Sequence, residues 1–229
     1  MAKIKVCVFD AYGTLFDVNA AARDVAAQPG KEAFSLVWQQ VSTDWRVKTL
    51  QYSWLRTITG DYVDFWQLTQ DALDWALAAS DQTSPELRED LLGLFWKLGA
   101  FAEVPDVLGA LKQAGHQTAI LSNGSPEMLR GAVESAGLQD LLDAVLSVET
   151  LQTFKPSRAV YDLVGGHFDA EPGEVLFVSS NGWDAAAAAA YGFDTLWVNR
   201  AGEPQDLLPG RPGRTSRDLR GVLDAAGPA

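Results

Sequence analysis

Alternation constrains this chain more than anything else in it. Short apolar runs recur as "IKVCVF", "QTAIL", "AVLSV", "EVLFV" and "TLWV", and runs of this length rich in Val, Ile, Leu and Phe read as buried strands. Between the later ones lie helical patterns, "VPDVLGALKQAG", "SPEMLRGAVESAG", "SRAVYDLVGGHF" and "GWDAAAAAAYG", several of which close on Gly. Parallel neighbours need a crossover, and the crossover helix packs back onto the sheet. Strand alternating with helix therefore predicts an α/β fold, a parallel sheet with helices on both faces.

One stretch breaks the alternation. From about Asp17 to Leu98 no good strand is found; "SLVWQQVSTDWRVKTLQYSWLRTI", "VDFWQLTQDALDWALAA" and "SPELREDLLGLFWKL" all read as helices. This is a helical insertion after the first strand. Its tryptophans, Trp38, Trp45, Trp54, Trp66, Trp75 and Trp96, are most simply the core of a helix bundle. The late "GEPQDLLPGRPGRTSRDLRG" reads as a loop by its Pro and Gly, with its arginines on a solvated face.

With 229 residues, 47% of them hydrophobic, the chain can bury a sizeable core without staples. Its single cysteine, Cys7, lies inside the first apolar run and reads as a small buried side chain. The net charge of -12 repels polyanions, which argues against nucleic acid and against an anionic membrane surface. "MAKIKVCVFD" does not look like a signal peptide, and no segment approaches the roughly 18 apolar residues of a membrane span. A cytoplasmic location is the expectation.

In open parallel sheets, ligands bind beyond the carboxyl ends of the strands. The residues there are Asp10, then Ser122 and Asn123, then Ser179, Ser180 and Asn181, with Lys155 in the loop after the third run. Each has an ordinary explanation. Asp10 could cap the following turn, Ser122 and Asn123 could belong to a turn into a helix capped by Ser125, Lys155 could be an exposed loop residue, and Asp184 could serve the first-turn amides of the alanine-rich helix. What those separate explanations do not predict is that all of these groups share one rim.

"FDAYGT", "LSNGS", "KP" and "SSNGWD", in that order, resemble the motifs of the haloacid dehalogenase superfamily. Within it, "DAYGTLFDV", "WRVKTLQYSWLR", "ILSNGSPE", "FKPSRAVY" and "FVSSNGWDA" look like the 2-haloacid dehalogenases that act on the L enantiomer. The resemblance runs along nearly the whole chain. It implies a Rossmann-like catalytic core, residues 1–16 and 98–229, and a helical cap domain, residues 17–97. The superfamily's phosphatases have a second Asp two residues after the nucleophile and a metal-binding carboxylate after the fourth strand. Tyr12 and Ser180 stand in those places, and a hydroxyl is a poor ligand for a hard cation. No metal and no cofactor are expected.

The resemblance further implies that Asp10 displaces halide from a short L-2-haloacid and forms an ester, that Thr14 steadies Asp10, and that Lys155 keeps it ionised. The amides of Ala11 and Tyr12, with Ser122, would hold the substrate carboxylate. Arg46, Asn123 and Trp183 would receive the halide; Arg46 and Leu50, four apart, share a helix face. Leu50, Tyr52, Trp54 and Phe65 would form a hydrophobic wall. Asp184 would be the general base that lets water cleave the ester, positioned by Ser179, Asn181 and Lys155, with Tyr161 a further active-site residue. The implied partners are the haloacid, the halide product and a second copy of the chain. A magnesium-dependent phosphatase using Asp10 and a catalytically silent binding protein are the alternatives.

Overall fold

A computed structural model describes residues 3–228. The chain opens with β1 (Val6–Phe9), then passes through α1 (Ala20–Ala26), α2 (Glu32–Ser35), α3 (Trp38–Thr59), α4 (Phe65–Ala79) and α5 (Pro85–Phe95) before it returns to a second strand. After these come α6 (Val104–Gln113), β2 (Gln117–Ser122), α7 (Pro126–Ser135), β3 (Ala144–Ser147), α8 (Arg158–Phe168), β4 (Val175–Ser179), α9 (Gly182–Tyr191), β5 (Asp194–Val198), β6 (Arg214–Ser216) and α10 (Gly221–Ala226).

Among the described residues six strands form one sheet, all parallel, in the order β3-β2-β1-β4-β5-β6. Every residue of β1 and β4 is buried. Because successive side chains of a strand point to opposite faces, full burial means that both faces of the sheet are covered. The strand order reverses at β1, and its last residue, Phe9, pairs with Ile120 on one side and Val178 on the other. The register thus brings the polar residues that follow β1, β2 and β4 to one level, at the crevice where such sheets bind ligands.

The helices of this stretch bury Val41 and Trp45 of α3, Leu68, Ala72 and Leu73 of α4, and Leu91 of α5, in a core continuous with that of the sheet. Local signals set its joints. Asp64 caps α4 by accepting from Gln67 N (2.9 Å), Ser84 caps α5 by accepting from Leu87 N (3.3 Å), and α3 stops at Gly60, whose φ of 71° suits a residue without Cβ. The chain leaves and re-enters the sheet layer side by side, with Phe101 N donating to Leu15 O (2.9 Å) and Asp17 N to Gly99 O (3.1 Å).

Three expectations need correction. The segment read as a loop contains β6, whose Arg214 pairs with Asp194 of β5 at 2.7 Å; the strand has three residues, too few for a periodic signal. "AVLSV" forms a strand but at the sheet edge, so Val145 is 41% exposed rather than buried. Of the six tryptophans assigned to the bundle core, only Trp45 is buried there, its indole N–H donating to Thr69 O (2.7 Å); Trp75 is 41% exposed beneath Lys48 Nζ, 4.1 Å from its ring centroid. Indole carries a polar group that must find a partner, and leucines and alanines fill the close helix contacts instead.

Candidate functional site

Lys155 is the centre of the polar cluster. Its ammonium lies 3.1 Å from Asp10 Oδ1 and 2.9 Å from Asp184 Oδ2, and its side chain is 1% exposed. Burial alone drives an ammonium toward its neutral form, but the two carboxylates outweigh it and hold the Lys155 pKa above the ordinary lysine value. Asp184 is shifted upward, first by burial and further by repulsion from Asp10, against the opposing pull of Lys155 and of Tyr161. A carboxylate shifted that way is better able to take a proton near neutral pH.

The other oxygen of Asp10, Oδ2, accepts from Thr14 Oγ1 (3.0 Å) and from Asn181 Nδ2 (2.9 Å). The carboxylate does not cap the turn after β1. That turn is closed by the carbonyl of Ala11, which accepts from the amides of Thr14, Leu15 and Phe16. The N–H groups of Ala11 and Tyr12 have no hydrogen-bond acceptor among the described residues, and they follow Asp10 directly. Oriented amides of this kind form an anion cradle. Asp184, at the third position of α9, likewise ignores the helix amides: its Oδ1 accepts from Tyr161 OH (2.8 Å) and its Oδ2 from Lys155.

The loops are held by the residues expected along the rim. Asn123 Oδ1 accepts from Lys155 N (2.8 Å), Ser122 Oγ accepts from Gly124 N (3.1 Å), and Ser179 Oγ accepts from Asn181 N (3.1 Å). Ser125 caps α7 through Met128 N (3.4 Å). Ser180 donates its amide to Thr14 Oγ1 (2.7 Å) and shares a hydroxyl contact with Thr14 at 3.2 Å.

Above this rim, α3 lowers Arg46 across the turn after β1. Arg46 Nη2 donates to Asn181 Oδ1 (2.6 Å), and a Cβ built on Gly13 would meet both terminal nitrogens of Arg46 at 2.8 Å. Gly13 also has a φ of 89°, so both its backbone and its lack of a side chain are required. Burial pulls the Arg46 pKa down against the fields of Asp10 and Glu203.

Asp10, Tyr12, Arg46, Leu50, Phe65, Ser122, Asn123, Lys155, Asn181 and Trp183 all line one cavity of about 60 Å³. That volume suits a ligand of a few heavy atoms. Trp183 has a buried indole N–H without a partner among the described residues. Thr14, Ser179, Asp184 and Tyr161 stand behind the lining. Tyr161, expected as a further active-site residue, does not line this cavity: it is fully buried, donates its hydroxyl to Asp184, and borders a second, apolar cavity of about 600 Å³ that neither Asp10 nor Asp184 lines. Two wall residues are elsewhere: Trp54 lines that second cavity, edge-on to Trp183, and Tyr52 faces Arg56 and Asp71.

Sequence reasoning missed Ser42, Trp45 and Thr49, which line the site. They lie four before, one before and three after Arg46, so helical periodicity carried the signal. It also missed Val18 and Phe95, from the two ends of the insertion, which no local pattern could bring together.

Magnesium does not fit this donor set. Each oxygen of Asp10 and Asp184 faces a hydrogen-bond donor, whereas magnesium seeks six oxygen ligands; among the described residues no three of His, Cys, Asp and Glu cluster as ligands.

The chain has counterparts among known proteins. A (S)-2-haloacid dehalogenase of Pseudomonas sp. (strain CBS-3) is 45% identical over 90% of this chain and 89% of its own length, and one from Burkholderia cepacia is 40% identical over 89% and 86%. The structure of the L-2-haloacid dehalogenase from Xanthobacter autotrophicus with chloropropionic acid covalently bound superposes with a TM-score of 0.85, at 34% identity, over 96% of both chains. Residues 4–192 match the model of the haloacid dehalogenase-like hydrolases, and the chain belongs to that family.

Proposed function

We propose that the chain hydrolyses short L-2-haloacids to D-2-hydroxyacids through an ester on Asp10, without a metal. The observation that carries this reading is the single buried ammonium of Lys155 shared by Asp10 and Asp184 beside a cavity of about 60 Å³.

In the first step an oxygen of Asp10 attacks the carbon that bears the halogen, from the side opposite the halogen. The new C–O bond forms as the carbon–halogen bond breaks, so the centre inverts and halide leaves. The unpartnered amides of Ala11 and Tyr12, with Ser122, hold the substrate carboxylate. Arg46, Asn123 and the free indole N–H of Trp183 receive the halide. Leu50 and Phe65 exclude water. In the second step Asp184 takes a proton from water, whose oxygen attacks the carboxyl carbon of Asp10. The ester bond between that carbon and the Asp10 oxygen bound to substrate then breaks, and the departing oxygen takes the proton from Asp184. The hydroxyacid leaves with an oxygen that belonged to Asp10, and the second water proton is lost to solvent as Asp10 returns to a carboxylate. Tyr161, Lys155, Asn181 and Ser179 hold Asp184 and the loop after β4 in place.

We assign residues 17–97 to a cap and residues 1–16 and 98–229 to the catalytic core. The face of α3 that exposes Val47, Leu55 and Ile58 supports a homodimer, which light scattering would test. Cytoplasmic residence remains part of the reading; among the described residues no helix is long and apolar enough to cross a membrane.

A single turnover in heavy-oxygen water, with enzyme in excess over L-2-chloropropionate, tests the mechanism. Label should enter Asp10 and not the product. Label in the first product molecule means that water attacks the substrate directly, and the assignment of Asp10 as nucleophile fails. The D enantiomer should release no halide.

A further inference from the structure

Arg200 follows β5, outside the cavity, yet its largely buried side chain makes three contacts. Nη2 donates to the carbonyl of Thr14 (3.0 Å), Nη1 donates to Glu103 Oε1 (2.7 Å), and the guanidinium lies 3.7 Å from the ring centroid of Phe101. Glu103 is itself mostly buried, with 10% side-chain exposure, and also accepts from Leu219 N (3.4 Å). Thr14 belongs to the chain leaving the sheet for the helical layer; Phe101 and Glu103 belong to the chain returning from it, and Phe101 N is bonded to Leu15 O. One planar fork therefore ties both arms of the neck together, a task that a single ammonium cannot perform.

The tie bears on the chemistry through one residue. Thr14 turns its carbonyl to Arg200 and its hydroxyl to Asp10. With its amide on Ala11 O and Leu15 O held by Phe101 N, the Thr14 peptide is fixed on every side. We propose that Arg200 is a positioning residue for the first step: by holding the Thr14 carbonyl against the returning chain, it fixes the hydroxyl that orients the attacking carboxylate of Asp10. The proposal rests on the reading of Asp10 as nucleophile, and it assigns no contact between Arg200 and substrate.

The test separates the two chemical steps. Single-turnover halide release reports attack by Asp10; decay of the ester, followed by mass, reports hydrolysis. Arg200→Met should slow halide release on the order of tenfold, the scale of one lost hydrogen bond to a charged group, with ester decay and KM little changed. In a Thr14→Val background the same substitution should slow halide release less than about twofold further, because residues acting in series are not additive. Arg200→Lys, which can reach Glu103 or the Thr14 carbonyl but not both, should recover only part of the rate, and it carries the same cycle if the Met variant does not fold. Equal slowing of both steps, full additivity with Thr14→Val, or complete recovery by Lys overturns the positioning role. Wild-type enzyme that releases no halide overturns the functional reading, and this proposal with it.

Discussion

At Asp184, the base of the mechanism proposed above, two demands compete: a base must be ionised to act, while burial resists ionisation. Burial and Asp10 raise its pKa; Lys155 and the hydroxyl of Tyr161 lower it. Removing one of the lowering groups must move the pKa further up. Tyr161→Phe should therefore shift the acid limb of ester hydrolysis to higher pH, while the first step, which does not use Asp184, keeps its profile; an unchanged limb would show that the hydroxyl does not reach the base. Arg46 offers a second test at this scale. Its fork spans Asn181 and the cavity, and charge on the halide is fully developed only late in displacement. Arg46→Lys should lower kcat by about a hundredfold or more, with a much smaller change in KM, measured by halide release. At this scale the sequence was legible in kind but not in role. Asp10 and Asp184 could each have been helix or turn caps, and only the direction of their oxygens, toward Lys155 rather than toward amides, decides against that.

Among the elements, glycines mark where one piece of chain must press against another. A Cβ on Gly210 would collide with Ala186 O and lie 2.6 Å from Ala190 N, so the loop between β5 and β6 lies directly on the backbone of α9. Gly210→Ala must push that loop away and should cost about 2 kcal/mol or more, seen as a lower thermal midpoint. Gly13→Ala is different in consequence. It strains a backbone at φ 89° and collides with the Arg46 guanidinium, so it should impair halide release more than its loss of stability, on the order of 1–3 kcal/mol, accounts for. The alanine run of α9 was legible as a helix, yet nothing in "GEPQDLLPGRPGRT" announces that its glycine is seated there or that Arg214 begins a strand. Three residues cannot show a period; the pairing of β6 is decided by β5 and by the ion pair to Asp194.

For the molecule as a whole, the size of the cavity and the chemistry of its donors make two predictions. Walls formed jointly by α3, α5 and the rim of the sheet leave about 60 Å³, so kcat/KM should fall steeply as the substrate's alkyl chain lengthens beyond a few carbons; undiminished halide release from a long-chain 2-bromoacid would contradict it. Exhaustive EDTA treatment should leave halide release unchanged, and recovery only with magnesium would overturn the metal-independent assignment. The helical stretch of the chain, the parallel sheet and the rim that collects Asp10, Ser122, Asn123, Ser179 and Asn181 were all readable in the sequence, because hydrophobic period and residue position at a strand's end are local properties. What the sequence determined by itself was therefore the architecture and the identity of the polar set. The tertiary structure alone decided which of those groups touch: that Lys155, from a loop distant in sequence from both carboxylates, sits between Asp10 and Asp184; that Tyr161 donates to Asp184 and stays out of the cavity lining; that Trp54 and Tyr52 turn away from the cavity; and that Val18 and Phe95 line it. Contacts between residues far apart along the chain depend on how elements pack, and packing is a property of the whole fold that no window of sequence contains.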